Sequence, residues 1–207
     1  MSTLVFVRHG ETDVAGTFCG HSDPDLNLAG ELQITHAAEE VAGLGVRRIY
    51  SSDLRRASRS AAVIGERISL NVELSDDLRE MHFGFWEGLN WRQIEDRFPQ
   101  EASRWLAEFP LCGAPGGEEY AAFAGRVDAV IATLLQRAQG LAIAVVTHRG
   151  VMSYALTKFF GFSEEEAWTR TAPYGSVVIA TCPRVRLSGS TKCGNRCEPV
   201  VGKEMSL

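Results

Sequence analysis

The sequence of 207 residues has no apolar run close to the length of about 20 residues that a membrane-spanning helix needs. Residues 1–10 also lack the basic region, long hydrophobic stretch and small-residue cleavage site of a targeting peptide. Lys and Arg number 21 against 26 Asp and Glu, which gives a formal net charge of -5. A basic excess that could attract nucleic acid or an anionic membrane is therefore missing. We expect a cytoplasmic protein that binds neither.

Cysteine is also scarce, with five residues scattered along the chain. An odd and scattered set does not fit a disulfide framework, so we expect reduced thiols. Cys193 and Cys197 are the closest pair, but no second Cys or His pair lies nearby, so no structural zinc is expected. Internal repeats and low-complexity blocks are absent. With 45% hydrophobic and 23% charged residues, the chain has the composition of one globular domain with a sizeable core.

Short apolar runs alternate with helical patterns along most of the chain. The runs are residues 3–7, 47–52 and 141–147, followed by a late strand at 177–180. Helical spacing follows at residues 26–45, 54–68 and from 151 onward, and a longer helix is predicted over 118–139. Strands that are apolar throughout need cover on both faces. The pattern predicts an α/β fold, a three-layer α/β/α sandwich with a mostly parallel central sheet.

The middle of the chain and its end depart from this pattern. Residues 78–109 are rich in Trp and charged residues, which predicts helices and loops. We expect a small helical lid at about 83–120, inserted in a single domain of residues 1–188. Residues 189–207 show little periodicity, so we expect a loosely ordered tail without a catalytic role. The aromatic residues of segment 83–98 form either the core of the lid or a wall for a flat ligand, and both interpretations stay open for Trp86 and Trp91.

Two histidines directly follow predicted strands, His9 after the first run and His148 after the third. Because the carboxyl ends of parallel strands meet at one edge of a sheet, the two side chains are expected to share a pocket. Arginines occupy similar positions at the strand ends, namely Arg8, Arg55, Arg56 and Arg149. Clustered cations repel one another unless an anion binds among them, and the guanidinium fork suits phosphate oxygens. The pattern therefore predicts a pocket for a phosphate ester.

A neutral, oriented histidine can attack phosphorus and form a phosphohistidine that water later hydrolyses. The leaving oxygen then needs a proton donor. Glu80 lies in LREMHFGFWEG, and burial beside such aromatic residues would raise the pKa of its carboxyl group toward the operating pH. Glu87, in the same segment, is a competing candidate for this role.

Four segments in order resemble the signature blocks of the histidine phosphatase superfamily, which has the phosphoglycerate-mutase-like fold. They are RHGET at residues 8–12, YSSDLRRA at 50–57, LREMHFGFWEG at 78–88 and VTHRGV at 146–151. The resemblance covers most of residues 3–182. It implies that His9 is the phosphorylated nucleophile and that Arg8 and Arg56 hold the phosphoryl group. It further implies that Glu80 is proton donor and base, and that His148 stabilises charge on the transferring group.

Thr12, Cys19 and Gly20 complete the expected substrate-binding and phosphate-binding set. The resemblance implies a small-molecule phosphate ester as partner, no metal or organic cofactor, and a homodimer as one option. Residues 18–30, 80–88 and 114–127 look most like the α-ribazole phosphatase branch, which acts in cobalamin biosynthesis. The alternatives are a broad-specificity small-molecule phosphatase and a cofactor-dependent phosphoglycerate mutase. A catalytically dead binding protein would lack a catalytic residue, whereas this chain has all five.

Two positions depart from the family pattern. Ala15 stands where many members have Asn, seven residues after Arg8, and Thr17 is a candidate for the lost polar contact. Arg149 stands where many members read His-Gly-Gly, and it either reaches the pocket as an extra anion contact or points outward. Arg55, beside Arg56, is expected to face solvent.

Overall fold

The structure, a computed structural model, describes residues 1–182 of the chain. It contains five strands, namely β1 (Ser2–Arg8), β2 (Val46–Ser52), β3 (Val72–Ser75), β4 (Ala142–Thr147) and β5 (Val177–Cys182). Its helices are α1 (Leu28–Ala42), α2 (Arg55–Ile68), α3 (Trp91–Arg97), α4 (Pro99–Glu108), α5 (Tyr120–Arg137), α6 (Arg149–Phe160) and α7 (Glu164–Arg170). Short 3₁₀ turns form at Asp76–Leu78 and Gly84–Trp86. Strands β1, β2, β4 and β5 and the long helices lie where the apolar runs and helical spacing predict them, whereas β3 coincides with none of the predicted runs.

The sheet has the strand order β3-β2-β4-β1-β5. Four strands run parallel, and β5 is antiparallel to β1. The two central strands, β1 and β4, end together, because Arg8 pairs with Thr147 and the N–H of His9 donates to the Thr147 carbonyl at 3.0 Å. The residues that follow these two strands therefore emerge side by side at the carboxyl edge of the sheet.

Helices cover both faces of the sheet, as the apolar strands require. Alternate residues of β1 point to opposite faces: Val5 and Val7 pack with α1 and α2, while Leu4 and Phe6 pack with α5 and α6. Phe6 meets Phe160 of α6 edge to face, with ring centroids 5.9 Å apart. These two buried layers confirm the α/β/α sandwich and the mostly parallel sheet.

Helices α3 and α4 form a small separate cluster with the turn that precedes them. Trp86 is 0% exposed and packs with Ile94, Ala102 and Ala114. Trp91 is half-buried and meets Trp86 at a ring-centroid distance of 6.2 Å. Trp86 is therefore part of the lid's own core and offers no stacking surface to a ligand. The helix-and-loop character of this region is confirmed, and its limits at about 83–120 stay a prediction.

Within residues 1–182, the structure has no helix that is both long and apolar enough to cross a membrane. Cys19 and Cys112 form no disulfide. The predicted tail at 189–207, with Cys193 and Cys197, lies outside the described residues. The homodimer likewise stays a prediction.

Candidate active site

His9 and His148 lie together at the carboxyl edge of the sheet, as their positions after β1 and β4 predict. Their ring centroids are 5.0 Å apart. Both side chains are buried, with exposed fractions of 7% for His9 and 1% for His148. The two side chains are therefore adjacent, although they are 139 positions apart in the chain.

The hydrogen bonds of His9 define its tautomer. Its Nδ1 lies 2.7 Å from the carbonyl oxygen of Gly10, and a carbonyl can only accept, so Nδ1 carries the hydrogen. Nε2 is then the basic nitrogen, and Arg56 Nε donates to it at 3.3 Å. Burial, and next the charge of Arg56, hold the pKa of His9 well below its ordinary value. His9 is thus a neutral imidazole whose Nε2 lone pair accepts from Arg56.

His148 has the complementary arrangement. Its Nε2 lies 2.9 Å from Ser52 Oγ, which already accepts a hydrogen bond from the backbone N–H of Leu54 at 3.3 Å. The Ser52 hydroxyl can donate to Nε2, and in that arrangement the ring hydrogen is on Nδ1. Burial, followed by the charge of Arg56, keeps the pKa of His148 well below its ordinary value. Nδ1 is buried and has no partner in the described part of the chain.

Arg56, the second residue of α2, is 1% exposed and reaches into the centre of this pocket. Besides His9, its guanidinium donates to the carbonyls of Ser22 at 2.6 Å and Gly20 at 2.7 Å. A Cβ on Gly20 would lie 2.3 Å from Glu87 Oε1, so the loop approaches this closely only with glycine. The loop thus orients Arg56 through carbonyls and leaves its charge uncancelled.

Arg8 lies on the other side of His9. Its guanidinium stacks on Tyr174 at 3.8 Å from the ring centroid and donates to the backbone carbonyl of Ala172. The Nε of Arg8 is buried and, in residues 1–182, unpartnered. Burial lowers the pKa of Arg8. The Tyr174 ring is also 5.7 Å from that of His9. Tyr174 was not predicted, since no sequence motif marks it.

Glu80 lies against the first turn of α6. Its Oε2 accepts from the backbone N–H of Gly150 at 2.9 Å, and its Oε1 accepts from the N–H of Met81 at 3.0 Å. Arg126 donates to the Glu80 carbonyl at 2.9 Å and forms an ion pair with Glu118 at 2.7 Å. These contacts place a half-buried carboxyl group next to the helix that begins at His148. Phe83 and Trp86 of its segment pack in the lid instead, and Phe85 is exposed.

Glu87, the competing carboxylate, is fully engaged by the loop that holds Arg56. It accepts from the backbone N–H groups of His21 at 2.7 Å, Ser22 at 2.5 Å and Phe83 at 3.2 Å. Burial raises the pKa of Glu87, but these hydrogen bonds and one from the Ser22 hydroxyl outweigh it, so the net pKa is lowered. The geometry therefore favours Glu80 over Glu87 for proton transfer.

Two further predicted residues line the surrounding loops. Thr12 is buried and pairs with Leu26 in an isolated β-bridge. Cys19 is half-buried, with its thiol 3.9 Å from the Ser22 carbonyl, and burial raises its pKa. A thiol with a raised pKa is a poor nucleophile, and a binding role for Cys19 stays a prediction.

The positions that depart from the family pattern have distinct surroundings. Ala15 is exposed, and the Thr17 hydroxyl donates to the Val14 carbonyl at 2.7 Å, so it is already used inside the turn. Arg55 is exposed, as expected, and pairs with Asp25 at 2.6 Å. Arg149 stacks on the ring of Trp168, which lies in α7.

Two buried polar groups next to His9 have no hydrogen-bond partner in the described residues, Arg8 Nε and His148 Nδ1. Among residues 1–182, five buried side-chain polar atoms have no hydrogen-bond partner, and three of them are Arg8 Nε, His148 Nδ1 and Arg149 Nε. Buried polar atoms are normally satisfied, so a group of unpaired donors indicates a place for acceptors from a ligand. With the charges of Arg8 and Arg56, it forms an anion site. No group of three or more His, Cys, Asp or Glu in the same range is arranged to hold a metal ion.

Comparison with known proteins gives consistent matches. A family model described as the histidine phosphatase superfamily, branch 1, matches residues 4–188. The chain is 29% identical to the adenosylcobalamin/alpha-ribazole phosphatase of Escherichia coli (strain K12), over 80% of this chain and 82% of that protein. It is 29% identical to phosphoserine phosphatase 1 of Hydrogenobacter thermophilus, over 82% and 81%. The solved structure of a mycobacterial glucosyl-3-phosphoglycerate phosphatase matches with a TM-score of 0.75 and 28% identity, over 86% and 89% of the two chains.

Proposed function

We propose that this chain, which belongs to the histidine phosphatase superfamily and is a phosphoric monoester hydrolase, works through a phosphohistidine at His9. The observation that supports this most directly is the state of His9. Its imidazole is buried and neutral, its Nδ1 hydrogen is fixed on Gly10, and its basic Nε2 faces Arg56 in the anion site. A neutral, oriented imidazole is what attack on phosphorus requires.

In the first step, His9 Nε2 forms a bond to phosphorus as the bond to the ester oxygen breaks. The Glu80 carboxyl group gives its proton to the leaving oxygen, which departs as the alcohol. In the second step, the Glu80 carboxylate takes a proton from water, whose oxygen attacks phosphorus while the bond to His9 breaks. Inorganic phosphate leaves, and His9 and Glu80 return to their starting states.

The surrounding donors stabilise the charge on the transferring phosphoryl group. Arg8 Nε and His148 Nδ1 are buried and unpaired within the described residues, so they need no rearrangement to bind phosphoryl oxygens. Arg56, held by the carbonyls of Ser22 and Gly20, supplies a fixed positive charge beside Nε2. Preorganised donors of this kind stabilise a transition state more than water does.

The natural substrate is a separate question from the chemistry. We propose α-ribazole 5′-phosphate as the first candidate, because the resemblance of residues 18–30, 80–88 and 114–127 and the name of the E. coli relative agree on it. Other relatives are named for phosphoserine and glucosyl-3-phosphoglycerate, so a broad-specificity phosphatase stays an alternative. A phosphoglycerate mutase would release isomerised phosphoglycerate in place of free phosphate.

The decisive experiment replaces His9 with alanine. His9→Ala should abolish phosphate release and acid-labile labelling of the protein by a ³²P-labelled ester, whereas His36→Ala, an exposed histidine in α1, should change neither. Turnover that survives in His9→Ala would overturn the mechanism. Steady-state rates on α-ribazole 5′-phosphate, 3-phosphoglycerate, phosphoserine and sugar phosphates then rank the substrates. A preference for α-ribazole 5′-phosphate below about tenfold rejects it as the dedicated substrate.

A further inference from the structure

Tyr174 lies beside the nucleophile, and its position follows from the way the sheet ends. The antiparallel pairing of β5 with β1 brings the segment before β5 next to the segment after β1. The N–H of Arg8 donates to the Ser176 carbonyl at 3.0 Å. The N–H of Gly175 donates to the His9 carbonyl at 3.3 Å. The backbone around Tyr174 is therefore bonded to the two residues that the mechanism places at the phosphoryl group.

A tight turn fixes the direction in which the Tyr174 side chain leaves the backbone. The Ser176 N–H donates to the Pro173 carbonyl at 3.2 Å, and Gly175 has a φ of +71°. A turn with positive φ at this position requires glycine. A Cβ on Gly175 would also lie 3.1 Å from the Cβ of Gln33. The turn is thus specified by its glycine, and it holds the half-buried Tyr174 against the site.

The ring of Tyr174 contacts both Arg8 and His9. The guanidinium carbon of Arg8 lies 3.8 Å from the centroid of the ring, which is direct stacking contact. The ring centroids of His9 and Tyr174 are 5.7 Å apart. One rigid side chain therefore lies against the nucleophile and against an arginine of the anion site.

Arg8 has no acidic partner that could orient it. No carboxylate in the described part of the chain lies within ion-pair distance of its guanidinium. Arg126, by contrast, pairs with Glu118 at 2.7 Å. The Nη1 of Arg8 donates to the carbonyls of Ala172 and Thr171, which are neutral acceptors. Two backbone carbonyls and the Tyr174 ring are thus what holds the Arg8 guanidinium.

An aromatic face suits this task better than a carboxylate. A carboxylate would cancel the charge that the phosphoryl group needs, whereas a ring face attracts a cation without neutralising it. The attraction is strongest for a poorly solvated cation, and burial lowers the pKa of Arg8. A guanidinium that is already fixed also loses little freedom when an anion binds. The stack keeps Arg8 Nε, which is buried and without a partner in residues 1–182, in place for an acceptor.

We propose that Tyr174 is a positioning residue, which holds the Arg8 guanidinium in the orientation that binds the phosphoryl group. The inference rests on the proposed function in assigning the bound anion to that group. It gives Tyr174 a part in binding phosphate that does not depend on the alcohol of the ester. Loss of the ring should therefore weaken the binding of inorganic phosphate as much as the binding of an ester.

The probe is inorganic phosphate, which has no alcohol part, and its Kd is measured by calorimetry on the full chain. Tyr174→Leu removes the aromatic face and keeps an apolar side chain. Its Kd should rise about three- to tenfold, the factor expected when one long side chain must be immobilised on binding. Tyr174→Phe keeps the face and should stay within about twofold of the wild type. For p-nitrophenyl phosphate, KM should rise by the same factor in Tyr174→Leu, while kcat changes less than about twofold.

Trp168→Leu is the matched control, since it removes the aromatic face under Arg149, an arginine outside the proposed chemistry. Its Kd for phosphate should stay within about twofold of the wild type. A second arm adds Tyr174→Leu to Arg8→Lys, which keeps the charge but lacks the planar guanidinium. In that background, the loss of the ring should lower kcat/KM by less than about twofold.

Three results would overturn the inference: wild-type affinity for phosphate in Tyr174→Leu, equally weak binding in Tyr174→Phe, or an undiminished loss in the Arg8→Lys background. A Tyr174→Leu protein in which KM for the ester rises while Kd for phosphate does not would show a contact with the alcohol instead, and it also overturns the inference. A wild type that binds phosphate but hydrolyses no phosphomonoester overturns the proposed function. In that case, the affinities of the variants for phosphate still decide the role of Tyr174.

Discussion

Replacing Gly150 with alanine isolates the contact between Glu80 and the first turn of α6. A Cβ at this position would lie 2.3 Å from Glu80 Oε1, 3.1 Å from its Cδ and 3.2 Å from its Oε2. Ordinary contact begins at 3.4 Å, so the carboxyl group must move by about 1 Å. The substitution thus displaces the proposed acid and base without changing its chemical identity.

The expected loss follows from this displacement. Misplacing a catalytic group by about 1 Å costs about 10²-fold, within the factor of about 10²–10⁴ that general acid–base catalysis contributes. For an alkyl phosphomonoester, kcat/KM should therefore fall about 10²-fold. Stability should stay within about 1 kcal/mol of the wild type, because alanine is favoured over glycine in a helix by about 0.5–1 kcal/mol and the weakened hydrogen bond opposes this. Lost activity with an unchanged melting temperature separates positioning from unfolding.

An ester with a good leaving group separates the two steps of the reaction. p-Nitrophenolate departs without a proton, so transfer to His9 should continue in Gly150→Ala, while attack by water, which needs Glu80 as a base, should slow. Rapid mixing should then show a burst of p-nitrophenol and an accumulated phosphoenzyme. Gly125→Ala in α5 is the matched control, since a Cβ there meets nothing within 4 Å. An alkyl-ester rate in Gly150→Ala within threefold of the wild type would refute the positioning argument.

Two further predictions concern buried charge. His9 and His148 have pKa values well below their ordinary value in the folded protein, so as pH falls through about 6.5 the unfolded chain binds protons that the folded state does not. The free energy of unfolding should therefore fall by up to about 1.4 kcal/mol per pH unit for each histidine. Urea unfolding measured from pH 8 to 5.5 should show a smaller loss of stability in His148→Gln than in the wild type. Equal dependence of stability on pH in the two proteins would contradict this. Glu87→Gln places an amide against the N–H donors of Ser22 and should reduce the free energy of unfolding by about 1–3 kcal/mol. Glu80→Gln should instead lower turnover about 10²–10⁴-fold with little loss of stability. Measuring kcat and the urea unfolding of Glu87→Gln and Glu80→Gln side by side tests whether the first loses stability and the second loses activity.

The sheet and the meeting of the two histidines could be predicted because they depend on local signals. Strands that are apolar throughout must be covered on both faces, and parallel strands must end at one edge. Helix ends are less determined: helical spacing predicts 118–139 for α5, which runs from Tyr120 to Arg137. Glu118 lies before the helix because its carboxylate is bound by Arg126. Such a tertiary contact leaves no trace in the hydrophobic period.

The rest of the site depends on contacts between distant segments. Tyr174 under Arg8 and Trp168 under Arg149 come from the chain around and after α7, which carries no motif. The sequence left open whether Arg149 reaches the pocket or points outward. In the structure its guanidinium stacks on the ring of Trp168. For Trp86 the sequence likewise allowed two interpretations, a lid core residue or a wall for a flat ligand. Its place in the core of the lid depends on the packing of α3 and α4 over it. A composition of aromatic residues does not tell which of them face a ligand.

Two cations beside His9 can hold a phosphoryl group throughout the reaction. The chain as a whole has a net charge of -5, so the positive site arises from placement: Arg56 and Arg149 both lie in the first turns of helices, where the dipole disfavours a cation. Arg8 and Arg56 surround His9 and must bind the phosphoryl group in substrate, intermediate and product alike.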